Sequence, residues 1–463
     1  MLTYNLSALP CPLYEGLYRC IREDILTGRL RPGEKLPSKR ALADHLKISK
    51  VTVENAYAQL SAEGYLRTQE KVGYFVEANT GPLPPPLPQP PPASSPEPTE
   101  VWAADLTSNQ LRGDTFPFSV WSRLLREVML DYGAELLKPM PIGGALVLRE
   151  AISQYLYGFR SMSVSPDQIL VGAGTDFLYN LLIQLLGRDK RYAVEDPGYD
   201  KIRRVYEATG VTCCPVPMDQ DGVRVDALDG ADVLHLSPSH HFPTGIVTPI
   251  TRRQALLDWA EAAPWRYLIE DDYDSEFRLS GRPIPTLQSI DRCGKVIYMS
   301  SFTKSIAPSI RISFLVLPPA LMETFRQKLG FYACTVPSFE QYTLARFLSE
   351  GYFEKHINRM KKYYREQRNQ LIKLIQGASF ASRVEILAQD AGLHFLLKVD
   401  TNRTDSELKT LCARAGIHVR CLTDYTIRQQ AAFSHCLVVN YTGFDSTTAP
   451  QVLARLEEIL QTL

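Results

Sequence analysis

The sequence predicts an α/β protein in two parts: a small helical module ending in a short β-hairpin, and a larger domain built on a mostly parallel sheet. Three observations carry this. Two capped helical patterns followed by two short β-rich runs fill the start of the chain, and apolar β-rich runs alternate with helical patterns after residue 105. Between them Gly81 to Pro98 reads GPLPPPLPQPPPASSPEP, with ten prolines in eighteen positions.

A length of 463 residues suits two or three domains at about 100–200 residues each. Lys+Arg and Asp+Glu both total 51, and 22% of residues are charged against 45% hydrophobic. That balance excludes wholesale disorder, a collagen-like chain and a generally polybasic protein. No apolar run approaches the ~18–20 residues of a membrane span, and MLTYNLSALPCP lacks the cationic start and apolar stretch of a signal peptide. A cytoplasmic protein with no membrane partner is therefore expected. The nine cysteines include no C-x-x-C pair, so their spacing encodes neither a disulfide framework nor a metal site. Reduced thiols, most of them buried, are expected.

The first helix is written by Leu13, Leu17, Ile21 and Ile25, an apolar stripe of helical period ending near Gly28. Ser38 can cap KRALADHL, with Leu42 and Leu46 facing inward, and Ser49 can cap VTVENAYAQLSAEG, which Gly64 ends. Two helices across a short turn make a helix-turn-helix, whose second helix presents its first turn to the major groove. From Arg29 to Lys50 seven basic residues stand against two acidic ones, a local basic face on a neutral chain. The runs Tyr65–Thr68 and Val72–Val76 then form a hairpin, or wing.

PSKRALADHLKISKVTVENAYAQLSAEGYL followed by GYFV resembles the winged helix-turn-helix of the GntR regulator superfamily over residues 10–78. The resemblance implies operator DNA as a partner. It implies contacts from Lys39 and Arg40, from Ser49, Lys50 and Thr52 on the recognition helix, and from Gly73 in the wing. Lys50 stands where that family usually has arginine, so phosphate charge is kept while a bidentate reader of guanine is lost.

The proline-rich stretch cannot enter a helix or a central strand. It reads as a semi-rigid polyproline spacer, able to hold two domains roughly 50 Å apart, with a ligand for an SH3 or WW module as the alternative. The expected division is residues 1–78, a linker over 79–104, and a second domain over 105–463.

In that second domain QILVGAG, RYAVED, DVLHLSP, RYLIEDD, KVIYMSS and ISFLVLP alternate with segments such as FLYNLLIQLLG and RRQALLDWAEAA. Such alternation implies βαβ units around a buried sheet, with ligands beyond the carboxyl ends of its strands. Polar residues stand at those ends: Lys304 and Ser301 with Arg311 seven residues after the lysine, Asp271-Asp272-Tyr273, Gly172, Gly174 and Thr175, and Tyr199 of EDPGY. Singly each is ordinary. Together they supply an amine, an acid, a phenol and an anion cradle at a helix start, which is the chemistry pyridoxal phosphate needs.

Over residues 105–463 the chain resembles the aminotransferase group of the fold-type I pyridoxal-phosphate enzymes. The resemblance implies that Lys304 is the lysine joined to the cofactor aldehyde, Asp271 the partner of its ring nitrogen and Tyr273 the donor to O3′. It further implies Gly174, Thr175, Ser301 and Arg311 at the phosphate and Tyr199 stacked on the ring. A GntR module linked to such a domain is the architecture of the MocR subfamily of transcription regulators, which implies a homodimer with swapped heads.

Two departures from active aminotransferases stand out. Phe242 occupies the place of the asparagine before Pro-Thr-Gly, and CLVVNYTGF lacks the arginine that clamps a substrate carboxylate. Lys201 and Arg420 are the candidate cations for an anionic effector. The expected function is a DNA-binding regulator that senses pyridoxal phosphate itself or an amino compound. The alternatives are a working aminotransferase with an accessory DNA module and a cofactor-free dimerisation scaffold.

Overall fold

The computed structural model describes residues 2–6, 10–77, 102–107, 115–279, 284–390, 392–428, 431–442 and 449–461. The chain forms two compact units, Met1–Thr99 and Glu100–Leu463. The proline-rich linker lies outside the described residues.

In the first unit, helices α1 (Leu13–Leu26), α2 (Lys39–Leu46) and α3 (Lys50–Ala62) precede strands β1 (Leu66–Gln69) and β2 (Gly73–Val76). The serine caps form as expected: Ser38 Oγ accepts from the Ala41 amide at 3.2 Å and Ser49 Oγ from the Thr52 amide at 3.1 Å. Each satisfies one orphan donor of its helix start. Lys47, at φ 52°, ends α2 in the left-handed conformation and opens the turn. Leu17, Ile21 and Ile25 pack with Leu42, Val53, Tyr57 and Leu60 in one buried cluster, so the predicted stripe is this unit's core. Antiparallel pairing from Leu66↔Val76 to Gln69↔Gly73 closes the wing.

In the second unit, β3 (Ala104–Asp105) is followed by helices α4 (Phe118–Tyr132) and α5 (Leu146–Arg160). The main sheet takes β4 (Ile169–Gly172), β5 (Arg191–Asp196), β6 (Thr212–Asp219), β7 (Gly222–Val223), β8 (Val233–Leu236), β9 (Tyr267–Asp272), β10 (Val296–Ser301) and β11 (Ser313–Val316). Their spatial order is β4-β11-β10-β9-β8-β5-β6-β7. Pairing from β10 through β6 is parallel, while β11 runs antiparallel to both β10 and β4. The sheet is therefore mostly parallel.

Alternate residues feed opposite faces. Along β4, Ile169 and Val171 join Leu148 and Ile152 of α5, whereas Leu170 joins Leu178 and Leu182 of α6 (Thr175–Leu186). Both faces are thus covered by helices, as a parallel sheet requires. A smaller antiparallel sheet, β12 (Val384–Leu387), β13 (His394–Val399) and β15 (Cys436–Asn440), follows, and β14 (Ile417–His418) pairs with β3.

All nine cysteines are free thiols, but only Cys412, Cys421 and Cys436 are buried. The expectation that most would be buried is corrected: the others sit on helix flanks, in loops and on β6, which has only one long neighbour. Among the described residues no helix is long and apolar enough to cross a membrane.

Candidate functional site

Strand ends in the large unit surround a cavity of about 350 Å³. Thr175, Tyr199, Asp271, Tyr273, Ser301, Lys304 and Arg311 all line it, with Lys201 and Phe242. These residues come from the ends of β4, β5, β9 and β10 and the loops after them, the location expected for a ligand in an open α/β sheet.

Lys304 follows β10 by three residues and is half-buried. Its ammonium makes no hydrogen bond or ion pair among the described residues. Burial lowers its pKa to about 8, opposed by the nearby Asp274 carboxylate. A substantial share of the amine is therefore neutral near physiological pH, the form that acts as a nucleophile.

Asp271 is buried at the end of β9. Tyr179 donates to its Oδ2 at 3.0 Å, and His235 Nε2 lies 3.4 Å from the same oxygen. The Tyr206 hydroxyl lies 2.7 Å from His235 Nδ1. If that hydroxyl donates, Nδ1 is the acceptor and Nε2 carries the proton toward Asp271. Asp272 faces the other way, where Arg160 reaches it at 2.8 Å and the Tyr298 hydroxyl at 2.6 Å.

The Tyr273 hydroxyl lies 3.1 Å from His240 Nδ1, which is 2.9 Å from Asp274 Oδ2. Burial holds the phenol well above its usual pKa, reinforced by the charges of Asp274 and Asp271. Tyr273 therefore stays protonated and able to donate.

The anion cradle is built at the start of α6, whose first amides have no partner within the helix. Gly174 caps it at φ +91°, and the Arg311 guanidinium lies so close that a Cβ on residue 174 would fall 2.0 Å from Nη2. Only glycine fits there. Asp176 Oδ2 holds Lys201 at 2.8 Å and Arg311 at 3.5 Å. Ser301 Oγ accepts from the Thr303 amide at 3.4 Å.

Tyr199 precedes α7 (Asp200–Ala208) and is half exposed, its ring edge-on to Phe242 at 5.9 Å. Phe242 also meets His394 and Tyr425, each at 5.1 Å. Arg420 is not among the lining residues; it is exposed and lies over the Tyr425 ring at 5.9 Å. Asn440, in the strand that lacks the arginine, lines the cavity, and its Oδ1 accepts from the Thr442 amide at 2.9 Å. Sequence reasoning missed Tyr179, Tyr206, His235, His240 and Asp274. The histidines stand in DVLHLSP and SPSHHFP, next to residues already singled out, and were the only signal.

In the first unit Arg40 and Lys50 are exposed at the starts of α2 and α3. Ser49 and Thr52 share a hydroxyl hydrogen bond at 2.8 Å. Lys39 differs. Its ammonium pairs with Glu54 of α3 at 2.6 Å and lies over the Tyr74 ring of β2 at 5.3 Å, tying both helices to the wing. Gly73, at φ +137°, sits at the hairpin end, where an added Cβ would come within 3.1 Å of Lys35 Cε.

Residues 13–76 match the family model of bacterial regulatory proteins, gntR family, and residues 103–456 that of aminotransferase class I and II. The HTH-type transcriptional regulator YdeL of Bacillus subtilis is 36% identical over 89% of each chain. The pyridoxine biosynthesis regulator PdxR of Corynebacterium glutamicum is 30% identical over 98% of this chain and 96% of its own. The probable rhizopine catabolism regulatory protein MocR of Rhizobium meliloti is 29% identical over 94% and 91%. Among solved structures, the kynurenine aminotransferase of Pyrococcus horikoshii superposes with a TM-score of 0.69 at 22% identity, over 79% of this chain and 92% of its own. That likeness concerns the fold. With a gntR-family helix-turn-helix and an aminotransferase-type domain in one polypeptide, the chain belongs to the MocR subfamily of GntR-type transcription regulators.

Proposed function

We propose that this regulator binds pyridoxal phosphate at Lys304 and reports its presence, or that of an amino compound, to the DNA-binding unit. The observation that carries the reading is Lys304 itself: a largely desolvated amine without an ion-pair partner among the described residues, in the same cavity as Asp271, Tyr273 and Arg311. The residues fit the group. Asp271, braced by Tyr179 and His235, would hold a proton on the ring nitrogen; Tyr273 would donate to O3′; Tyr199 would cover the ring. Gly174, Thr175, Ser301 and Arg311 would bind the phosphate. The cofactor, when bound, supplies an aldehyde and an electron-withdrawing ring.

Residues 1–78 are taken as the DNA-binding unit and 105–463 as the effector unit, joined by 79–104, with a swapped homodimer reading paired half-sites. Arg40, Ser49, Lys50, Thr52 and Gly73 face the operator in this reading. Lys39, engaged by Glu54, acts as a positioning residue rather than a phosphate contact. Lys201 is the favoured effector cation because it lines the cavity, and Arg420 is set aside. Regulation requires the ligand to favour one conformation over another.

The test is operator binding by the purified chain, with and without pyridoxal phosphate and then candidate amines, beside Lys304→Ala. The expected result is a ligand-dependent change in affinity that the variant lacks. Identical titrations for both proteins would refute it, and steady turnover of an amino acid with a 2-oxo acid would favour the enzyme reading.

A further inference from the structure

Elsewhere in the larger unit lies a second cavity, of about 750 Å³, lined by the C-terminal half of α5, Glu276, Pro285 and the start of the helix Tyr352–Gln376. Glu276 is 2% exposed, and its Oε1 accepts from the Tyr155 hydroxyl at 2.7 Å. Oε2 is fully shielded yet has no hydrogen-bond partner among the described residues. A buried carboxyl oxygen left in that state lacks a donor.

The walls suit a cation. Tyr155 and Phe159 stack at 5.5 Å, and Phe353 meets Tyr155 edge-on at 5.3 Å. The ammonium of Lys361 already lies over the Phe159 ring at 5.5 Å, so this aromatic face accepts a positive group. Arg160 also borders the space but is engaged by Asp272 at 2.8 Å. Glu354 adds an exposed acid at the rim.

We propose that this cavity is a binding site for an organic cation, an aromatic or alkyl amine or amidine, whose N–H donates to Glu276 Oε2 while its carbon body lies on Tyr155, Phe159 and Phe353. Burial pushes the Glu276 carboxyl up to about 7, with the Tyr155 hydrogen bond opposing. A cation beside it would draw that value back down. The inference uses none of the Lys304 chemistry and stands apart from it.

Benzamidine is the probe, because its amidinium is a lasting cation and a poor partner for aldehydes. Calorimetric titration of the full chain should show one benzamidine bound per chain, undisturbed by saturating pyridoxal phosphate. Glu276→Gln should weaken binding by at least about ten-fold, the scale of a charge-assisted hydrogen bond. Gly158→Trp should abolish it: Gly158 borders the cavity, and a Cβ there meets nothing within 4 Å, so the new side chain enters open space. This variant keeps the test decisive if Glu276→Gln unfolds. Absence of binding at millimolar benzamidine, displacement by pyridoxal phosphate, or binding that survives Gly158→Trp would overturn the proposal.

Discussion

Asp271 and Asp272 are neighbours in sequence and work on opposite faces of β9: the first lines the cavity with Lys304, and the second holds Arg160 at 2.8 Å inside the domain. Strand alternation alone separates them. The two acids are chemically identical, so the pleat decides which one meets a ligand and which one ties the sheet to α5.

Lys304→Ala should leave the chain folded and unable to hold pyridoxal phosphate covalently. The wild type should gain a visible absorption band on reconstitution, and borohydride should fix the cofactor to residue 304, read by peptide mass spectrometry. A band of equal strength in the variant would remove Lys304 from its assigned role.

Cofactor capture should follow the lowered lysine pKa. Only the neutral amine attacks, and burial brings its pKa to about 8. The initial rate should therefore rise about ten-fold between about pH 7 and about pH 9 and then level off. An unshifted lysine would keep accelerating past pH 10, so the position of the plateau checks the environment of the amine.

On DNA, the three basic residues should separate. Arg40→Ala and Lys50→Ala should each weaken operator binding and reduce the salt slope by about 1, as a lost phosphate contact does. Lys39→Ala should weaken binding with little change in slope, because its charge is spent on Glu54 at 2.6 Å. Fluorescence anisotropy across a salt series measures both quantities.

Glu276→Gln should change how stability depends on pH. The folded-state pKa of Glu276 is raised to about 7 by burial, so its contribution is full below the ordinary carboxylate range and lost as pH rises through about 7. Glutamine has no such dependence. Relative to the variant, the wild type should lose on the order of 3 kcal/mol between about pH 4 and about pH 8. Denaturant unfolding of both proteins at each pH tests it.

Local signals made much of this legible. Ser38 and Ser49 announce their helices because capping acts over three residues, and the apolar runs that became β4, β5 and β8 to β11 are buried along their whole length apart from residues at their ends. Strand β6 escaped notice because Pro215 and Pro217 interrupt its pattern; its place beside only the short β7 on its outer side tolerates missing donors. The antiparallel run of β11 was equally hidden, since only the short connection from Ser301 to Ser313 rules out a crossover. The bracing of Asp271 was out of reach, because Tyr179 stands 92 residues away from it and His235 stands 36. Spacing carries no trace of contacts that only the fold creates.

One carboxylate, Asp176, serves two cations at the cavity mouth, Lys201 and Arg311. It is a shared counter-ion, and what one side gives up the other receives. An anion docking on Arg311 competes for that guanidinium and leaves Asp176 to lean on Lys201, making Lys201 a poorer host for a second anion. Linkage makes the antagonism mutual, so the two anion positions form a seesaw pivoted on a single side chain.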